Sequence, residues 1–496
     1  MEGGILLGLN SNAETWLQLQ MPEHERFRSA CTKPERAQSD RLKAIVRANS
    51  GTAFGQAHEF SGIRTPTDFA DRVPVGDHAT NVQPWLDRMG SPEDGQLTKK
   101  TVRFFEQTSG TTGAAKLIPF TTALRSEISR AVAAWMGGLS LESPAAFSGP
   151  AYWAISPPLM KPHPPLAGVP VGHLEDTAYF PPRGARALSD WLVMDQAVQT
   201  ETADVFYGHT LDRLLACLDL SFVSVWSPTF FLNLDRCIRE RLGHDFTWSG
   251  LWPGLALLSC WTDAQSGQWM DEVGERLGSG VKIQGKGLMA TEGVTSVPYP
   301  GGSPVLAIRS HFYEFLDQET EEVRLAHELA TGSRYEVVLT TGGGLYRYIT
   351  GDLVEVTGHL DRAPRLHFVG RTGRSVDLVG EKLSEPQVIK ALAGTRGFLV
   401  PRTKPSGYLL CVESTGTQTE GDELATRTEV ALSANPYYAQ ACRLGQLSPL
   451  VLHRLPDGFT ANLGRKWAAR QDLRDSEVKL PVLFQPGEVD DLLPER

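Results

Sequence analysis

Apolar and polar residues follow two different rhythms along this chain, and the rhythm changes near residue 305. Before that point apolar residues recur at helical spacing, as at Leu124, Ile128 and Val132, or form the short apolar runs 251–261 and 281–284. Such runs are typical of strands in a buried sheet. From Val305 onward apolar and polar residues alternate, which is typical of antiparallel strands. The pattern therefore predicts an α/β fold that continues into an antiparallel sheet.

The boundaries of individual elements follow from turn and cap residues. Antiparallel strands are predicted at 337–340, 345–348, 353–356 and 366–369, with Gly351 and Asp352 in the turn before the third. A helix is predicted to begin at Ser227-Pro228 and to end at Gly243, because a capping hydroxyl, a first-turn proline and a terminal glycine have these positions. Further helices are predicted at 40–50, 383–392 and 420–434, and a strand at 408–412.

Composition narrows the class of protein. The chain has 496 residues, enough for two or three structural units, and a net charge of −10, which argues against nucleic acid or an anionic membrane as partner. The sequence contains no run of 18 apolar residues, so we expect no membrane span. Glu2 stands where a signal peptide would carry basic residues, so we expect no signal peptide. The six cysteines are scattered without a CxxC pair, so we expect reduced thiols in a cytoplasmic protein. Small molecules are the expected partners.

The segment 107–119, QTSGTTGAAKLIP, places hydroxyl residues and two glycines between a predicted strand at 101–106 and the following helix. Glycines let another molecule's phosphate approach the backbone, and hydroxyls donate hydrogen bonds to it. The segment predicts a phosphate-binding loop, although an ordinary surface turn has the same composition. It is not a Walker loop, because Lys116 is followed by Leu117. We expect Lys116 to order the loop or to meet solvent.

Further loops complete a set that suits adenylate transfer. The run 281–284 leads into GKGLMATEG, the sequence YRYITGD lies at 346–352, and FVGR ends at Arg371. Joining a carboxylate to AMP needs hydroxyls around a triphosphate, a carboxylate for magnesium, an acid for the ribose and a lysine to offset developing charge. The chain supplies each of these groups.

With these motifs in this order, the chain resembles adenylate-forming enzymes, and most closely the bacterial members of the auxin-responsive GH-three (GH3) family of acyl-acid amido synthetases. The resemblance covers nearly the whole chain and includes the segments VWSPTF, QGKGL, HEL and EK. It implies an α/β (α+β) fold with a large N-terminal adenylate-forming domain of mixed sheets flanked by helices, residues 1–377. A small mobile C-terminal α+β lid domain, residues 378–496, would follow.

The resemblance also implies a role for each matching residue around ATP and Mg²⁺. Ser109, Thr111 and Thr112 would hold the β- and γ-phosphates. Thr291 would lie near the α-phosphate, and Glu292 would hold the magnesium ion. We therefore expect Thr291 and Glu292 to be catalytic residues.

The remaining matches lie later in the chain. Asp352 would bind the ribose hydroxyls, and Tyr346 would border the nucleotide. Arg371 and Lys382 match basic positions at the domain hinge, and Lys479 matches a catalytic lysine that reaches the site when the small domain closes. These roles complete the predicted ATP site.

Structural roles remain open for several of these residues. Tyr348 is as good a candidate for the nucleotide contact as Tyr346. Asp352 could form a turn, Lys479 could be a solvated surface lysine, and Thr291 with Glu292 could cap a helix.

The predicted activity is an ATP-dependent ligase that adenylates a small carboxylic acid, releases pyrophosphate and transfers the acyl group to an amine. An amino acid is the expected acceptor. The alternatives are an acyl-CoA ligase of the same superfamily and a non-catalytic sensor of small molecules. The wall of the acid pocket is expected from 150–180, 225–232 and 284–289, and the protein is expected to be a monomer or a weak dimer.

Overall fold

The computed structural model describes residues 8–108, 116–153, 164–172, 176–194, 203–372, 374–413, 417–471 and 480–494. Helices and several sheets are mixed within these ranges, which confirms the predicted α/β class. None of the helices described is both long enough and apolar enough to cross a membrane. The six cysteines all lie in the described ranges, and no disulfide joins any two of them.

Helices make up the first hundred residues described. They are α1 (Ser11–Cys31), α2 (Pro34–Asn49), α3 (Ala53–Ala57), α4 (Pro66–Arg72), α5 (His78–Asn81) and α6 (Gln83–Leu86). The Asn10 side chain caps α1, and Thr65 with Asp68 forms a capping box at α4. The predicted helix at 40–50 is therefore the second half of the longer α2, because Pro34 provides a favourable first-turn residue upstream.

The next region carries a small mixed sheet and a parallel sheet. Its elements are β1 (Phe104–Thr108), β2 (Lys116–Phe120), α7 (Thr122–Glu142), β3 (Ala151–Trp153), β4 (Val171–Gly172), α8 (Pro182–Trp191), α9 (Ala203–Ala216), β5 (Phe222–Ser224), α10 (Pro228–Leu242), α11 (Trp248–Leu251), β6 (Leu257–Cys260), α12 (Met270–Leu277) and β7 (Lys282–Gly285). Strands β3, β5, β6 and β7 are parallel neighbours in that order. Ser227 caps α10 and Gly243 ends it, as predicted, whereas only 257–260 of the apolar run 251–261 is a strand.

A seven-stranded antiparallel sheet follows a short hairpin. The strands are β8 (Met289–Ala290), β9 (Gly293–Val294), β10 (Ser296–Val297), β11 (Val305–Leu306), β12 (Phe312–Asp317), β13 (Val323–Leu325), β14 (Arg334–Thr340), β15 (Tyr348–Leu360) and β16 (Ala363–Arg371). The sheet order is β10-β11-β16-β15-β14-β12-β13. Antiparallel pairing after residue 305 is therefore confirmed.

The predicted turn at Gly351-Asp352 is wrong, because both residues lie inside β15. Residues 350–352 form a bulge: β15 pairs with β14 at Ile349 and again at Leu353, while only Val337 lies between the partners on β14. Gly351 has φ +79°, a left-handed conformation that glycine adopts without strain. The glycine signal was therefore genuine, but it marks a bulge within one long strand rather than a turn between two strands.

The C-terminal part forms a separate three-stranded sheet with its own helices. Its elements are β17 (Ser375–Val376), β18 (Leu383–Ser384), α13 (Glu385–Leu392), β19 (Phe398–Thr403), β20 (Ser406–Glu413), α14 (Gln418–Leu432), α15 (Pro436–Arg443), β21 (Val451–Leu455) and α16 (Phe459–Gln471). The sheet order is β19-β20-β21. Two apolar clusters of this part begin at Val376 and Phe398, whereas the buried residues of the main cluster end at Leu366. The domain boundary at 377–378 stays a prediction.

Candidate active site

The β15 bulge places a buried carboxylate opposite an arginine. Asp352 faces Arg371 across β15 and β16, and the Arg371 Nε donates to Asp352 Oδ1 at 3.1 Å. Asp352 is 3% exposed, and its backbone N–H donates to the Thr350 hydroxyl at 3.1 Å. The charge of Asp352, and more weakly those of Glu292 and Glu385, raise the pKa of Arg371. Arg371 is therefore held as a cation beside two predicted site residues.

Thr291 and Glu292 form the two-residue turn between β8 and β9, not a helix cap. Burial raises the pKa of the Glu292 carboxyl, Asp352 raises it further, and Arg371 and Lys116 oppose the shift. These interactions show that Glu292 lies in one charged cluster with Asp352 and Arg371. The structure thus brings together residues that are far apart in sequence.

Lys116 also belongs to this cluster, although from the sequence we expected it to order the loop or to meet solvent. It is the first residue of β2 and pairs with Thr108, so strands β1 and β2 flank residues 109–115. Its charge acts on Glu292 and on Asp77, whose pKa is lowered by hydrogen bonds from Thr80 and by Lys116 even though burial works the other way. Its position directly after the hydroxyl-rich segment was the signal that could have identified it.

The two candidate tyrosines occupy different places. Tyr346 is fully buried, stacks on Phe54 with ring centroids 4.5 Å apart, and donates its hydroxyl hydrogen to the Leu97 carbonyl at 2.6 Å. Tyr348 begins β15, and its pKa is raised by burial and by the charges of Glu292 and Asp352, while Arg371 opposes the shift. The structure therefore brings Tyr348, and not Tyr346, together with the charged cluster.

The other predicted residues do not join this cluster among the described residues. Lys382 is exposed in the loop between β17 and β18, where its φ is +46°. Ser109, Thr111, Thr112 and Lys479 lie outside the residues that the structure describes. Their roles, like that of Lys382, stay predictions.

A buried lysine surrounded by three tryptophan rings lies at the carboxyl end of the parallel sheet, where ligands bind in many α/β folds. Lys286 is 2% exposed and donates from Nζ to the Ser224 hydroxyl at 2.7 Å. Its ammonium lies 4.8, 5.7 and 5.1 Å from the ring centroids of Trp135, Trp153 and Trp226. Aromatic faces stabilise a cation at this range. Trp226 and Lys286 come from two of the segments predicted to line the acid pocket.

Two cavities adjoin these segments. One, an open space of about 340 Å³ that includes solvent, has Lys286, Gly287 and Phe368 in its wall. The other, of about 670 Å³ and open to solvent, lies between the start of α10 and the start of α16. Residues that line it are Tyr207, Ser227, Pro228, Thr229, Phe230, Asn233, Ser266, Gln268, Trp269, Thr460, Ala461, Gly464, Arg465 and Leu480.

Comparison with known families and proteins gives consistent matches. The profile of the GH3 family N-terminal domain matches residues 23–246, and that of the GH3 family central domain matches residues 304–371. Among curated proteins, the Arabidopsis thaliana indole-3-acetic acid-amido synthetase GH3.3 is 26% identical over 51% of this chain and 49% of its own length. The probable indole-3-acetic acid-amido synthetase GH3.7 of Oryza sativa subsp. japonica is 37% identical over 19% of this chain and 15% of its own length. The matches thus span about half or less of these relatives.

Solved structures match over almost the full length. The AtGH3.15 acyl acid amido synthetase in complex with 2,4-DB superimposes with a TM-score of 0.81 at 18% identity, covering 96% of each chain. A second structure of GH3.15 acyl acid amido synthetase gives a TM-score of 0.79 and covers 94% of each chain. The similarity shows that the two proteins share a fold.

Proposed function

This chain belongs to the GH3 family, and we propose that it is an ATP-dependent acyl-acid amido synthetase. The observation that carries the proposal is the convergence of Glu292, Asp352 and Arg371, with Lys116 beside the segment 109–115. The names of its relatives, indole-3-acetic acid-amido synthetases and an acyl acid amido synthetase, support an acid as one substrate and an amino acid as the other.

The donor set of the cluster fits a nucleotide with a magnesium ion. Magnesium prefers carboxylate and phosphate oxygens, and Glu292 offers a carboxylate. Burial raises the pKa of this carboxyl, and a bound divalent cation would lower the pKa again because it favours the ionised form. When bound, the ion would supply positive charge to the phosphates. Asp352 would accept hydrogen bonds from the ribose hydroxyls, and Ser109, Thr111 and Thr112 would donate to the β- and γ-phosphates. Arg371 pairs with Asp352, its Nε lying 3.1 Å from Asp352 Oδ1.

The reaction would then proceed in two steps. The oxygen of the acid attacks the α-phosphorus of ATP and pyrophosphate leaves, giving an acyl-adenylate. The amine nitrogen next attacks the acyl carbon, AMP leaves and the nitrogen loses a proton, giving the amide. Thr291 and Lys479 would stabilise the charge that develops on the α-phosphate, and Tyr348 would border the nucleotide. Catalysis in this scheme comes from positioning and charge.

The acid would occupy the aromatic region around Trp226 and Lys286, where the buried ammonium supplies a fixed positive charge for a carboxylate. The indole rings of Trp135, Trp153 and Trp226 offer a large apolar surface, which suits an aryl or medium-chain acid. The open cavity between α10 and α16 would admit the amine, because its wall includes residues from both predicted domains and Leu480, the neighbour of Lys479 in sequence.

Closure of residues 378–496 would complete the site, with Lys382 at the hinge. In the structure, Arg396 Nη1 contacts Glu272 Oε2 at 2.6 Å, its guanidinium lies 4.8 Å from the Trp269 ring, and Gly397 N–H donates to Gln268 Oε1 at 3.1 Å. These contacts tie the two residues before β19 to α12 and to the 3-10 helix Ala264–Trp269 that precedes it. Any large movement of the C-terminal part must break them.

ATP–pyrophosphate exchange over a panel of aryl and aliphatic acids tests the proposal. We expect exchange that depends on one class of acid and on magnesium, followed by an amide product when amino acids are added, identified by mass. Coenzyme A added in parallel serves as the control acceptor. Absence of exchange with every acid would refute the proposed activity, and a thioester without amide would refute the acceptor.

A further inference from the structure

A buried glutamate and histidine lie behind the turn that carries Glu292. Glu127 is 2% exposed and His311 is fully buried, and the His311 Nδ1 lies 3.0 Å from Glu127 Oε2. Neither residue belongs to any motif of the sequence. Glu127 comes from α7, the helix that follows β2, and His311 directly precedes β12.

The hydrogen bonds of His311 determine which nitrogen carries its proton. The Val294 backbone N–H donates to His311 Nε2 at 3.1 Å, so Nε2 must be the unprotonated nitrogen and Nδ1–H must donate to Glu127. The Tyr313 hydroxyl donates to the Val294 carbonyl at 2.7 Å. Both backbone groups of Val294, two residues after Glu292, are therefore held by buried side chains.

The hairpin also presses directly against the imidazole. A Cβ atom added at Gly293 would lie only 2.7 Å from His311 Nε2, closer than such contacts occur. Only glycine therefore fits between Glu292 and Val294 while the histidine keeps its position. The backbone at Gly293 and the side chain of His311 therefore restrict each other's position.

Glu127 extends the connection to a third segment. Its two carboxylate oxygens both accept from the Gly342 N–H, at 3.0 Å each, and Arg41 Nη2 pairs with Oε1. Gly342 lies in the connection between β14 and β15, which leads to Tyr348 and Asp352. One carboxylate thus joins α7, the β8-β9 hairpin and the approach to β15.

We propose that Glu127 and His311 are positioning residues that fix the 291–292 turn relative to the rest of the site, and that they do so only while His311 is neutral. The inference rests on the proposed role of Glu292 in binding nucleotide and metal. A second proton on His311 would place an N–H against the Val294 N–H, so the hydrogen bond would be lost and the turn released.

The charges around His311 favour the neutral form at ordinary pH. Burial lowers its pKa, Glu127 on α7 opposes this shift, and Arg41 on α2 and Arg130 on α7 lower the pKa again. Tyr313 on β12 also packs against the ring, with centroids 5.9 Å apart. Because the folded state binds this proton less readily than the unfolded chain, the pair should hold the turn above about pH 6.5 and lose it as the pH falls.

Two substitutions separate the donor from the acceptor function of the ring. In His311→Gln the amide reaches the place of Nε2 and can still accept from Val294, whereas in His311→Asn it reaches only the place of Nδ1 and can still donate to Glu127. Two activity-free readouts apply: hydrogen exchange of a peptide covering 289–297, and calorimetric binding of ATP with magnesium. We expect His311→Asn to exchange about tenfold faster and to bind ATP about tenfold more weakly, and His311→Gln to stay within about threefold.

The pH profile gives a readout that simple packing would not produce. As the pH falls below about 6.5 the wild-type protein should lose ATP affinity, whereas His311→Gln, which has no proton to gain, should lose less. His24→Gln is the matched control, because His24 is another buried histidine with a lowered pKa, bonded to Tyr299 at 2.7 Å rather than to the hairpin. It should leave both readouts of the hairpin unchanged.

Tyr313→Phe provides a milder second variant, because it removes the tether on the Val294 carbonyl and keeps the ring. It should speed exchange in the same peptide. Equal exchange and equal ATP binding in all variants would overturn the inference. Suppose that the wild-type protein bound no ATP while hydrogen exchange of the 289–297 peptide still differed between His311→Asn and His311→Gln. The proposed function would then fail and the positioning role would stand.

Discussion

Replacing Asp352 with asparagine tests the proposed nucleotide site at its most buried carboxylate. The carboxylate is 3% exposed and faces Arg371, whose side chain is 33% exposed and lies 3.1 Å away. Asparagine keeps the shape and one acceptor oxygen, so the substitution removes the charge with little change of packing. Two effects are expected, one on folding and one on ATP affinity.

The effect on folding is modest. A hydrogen bond to a charged group contributes about 1.5–3 kcal/mol, and the solvent around the partly exposed Arg371 screens the pair, so we expect a loss of about 1–2 kcal/mol in the free energy of unfolding. The effect on ATP is larger. If Asp352 accepts from two ribose hydroxyls, weakening both bonds by about 1 kcal/mol each gives about 2 kcal/mol, or roughly a thirtyfold rise in the dissociation constant.

Calorimetric titration with ATP and magnesium, beside a urea melt of each variant, measures both effects. Asp235→Asn is the matched control, because Asp235 pairs with Arg239 at 2.7 Å and has a similarly buried carboxylate, 3% exposed, on α10. The control should lose at least as much stability and keep its ATP affinity within about twofold. Equal ATP affinity in Asp352→Asn and wild-type protein would refute the assignment of the ribose to Asp352.

Further substitutions examine other parts of the site. Glu292→Gln should abolish the magnesium dependence of ATP binding and cut pyrophosphate exchange at least about a hundredfold, measured with labelled pyrophosphate; exchange near the wild-type rate would contradict the metal role. Tyr346→Phe should lower stability by about 1 kcal/mol and leave the KM for ATP unchanged, whereas Tyr348→Phe should raise that KM in steady-state assays; the opposite pattern would restore Tyr346 to the site. Arg396→Ala and Glu272→Ala should change the ratio of adenylation to amide formation in single-turnover assays with little loss of stability, and an unchanged ratio in both would mean that the contact plays no part in closure.

The sequence predicted those elements whose signals are local. The helix from Pro228 to Leu242 was predicted residue by residue, because a hydroxyl cap, a proline and a glycine mark its ends. The order of motifs likewise predicted that Glu292, Asp352 and Arg371 belong together, which the charge interactions in the structure support. These signals need no knowledge of tertiary packing.

Other features depend on tertiary packing that no local pattern contains. The bulge at 350–352 resembles a turn in sequence, because glycine serves both, and only the pairing of β15 with β14 distinguishes them. Tyr346 and Tyr348 are two residues apart in the same motif, and their different surroundings depend on where β15 begins. Glu127 and His311 are 184 residues apart and meet only in the folded chain.

The same reasoning changes the role of Lys116. From its place in the segment 107–119, after the second glycine, we expected Lys116 to order the loop or to meet solvent, whereas the structure makes it the first residue of β2. In the fold, that strand position brings its charge toward Glu292, while Arg371 approaches the same carboxylate from β16. Two cations from different sheets therefore act on one partly buried acid, whose charge, together with that of Asp352, offsets their mutual repulsion. The place thus offers both signs of charge, which suits the proposed ligand, because the cations can face the phosphates of ATP while the carboxylate of Glu292 faces a divalent metal ion.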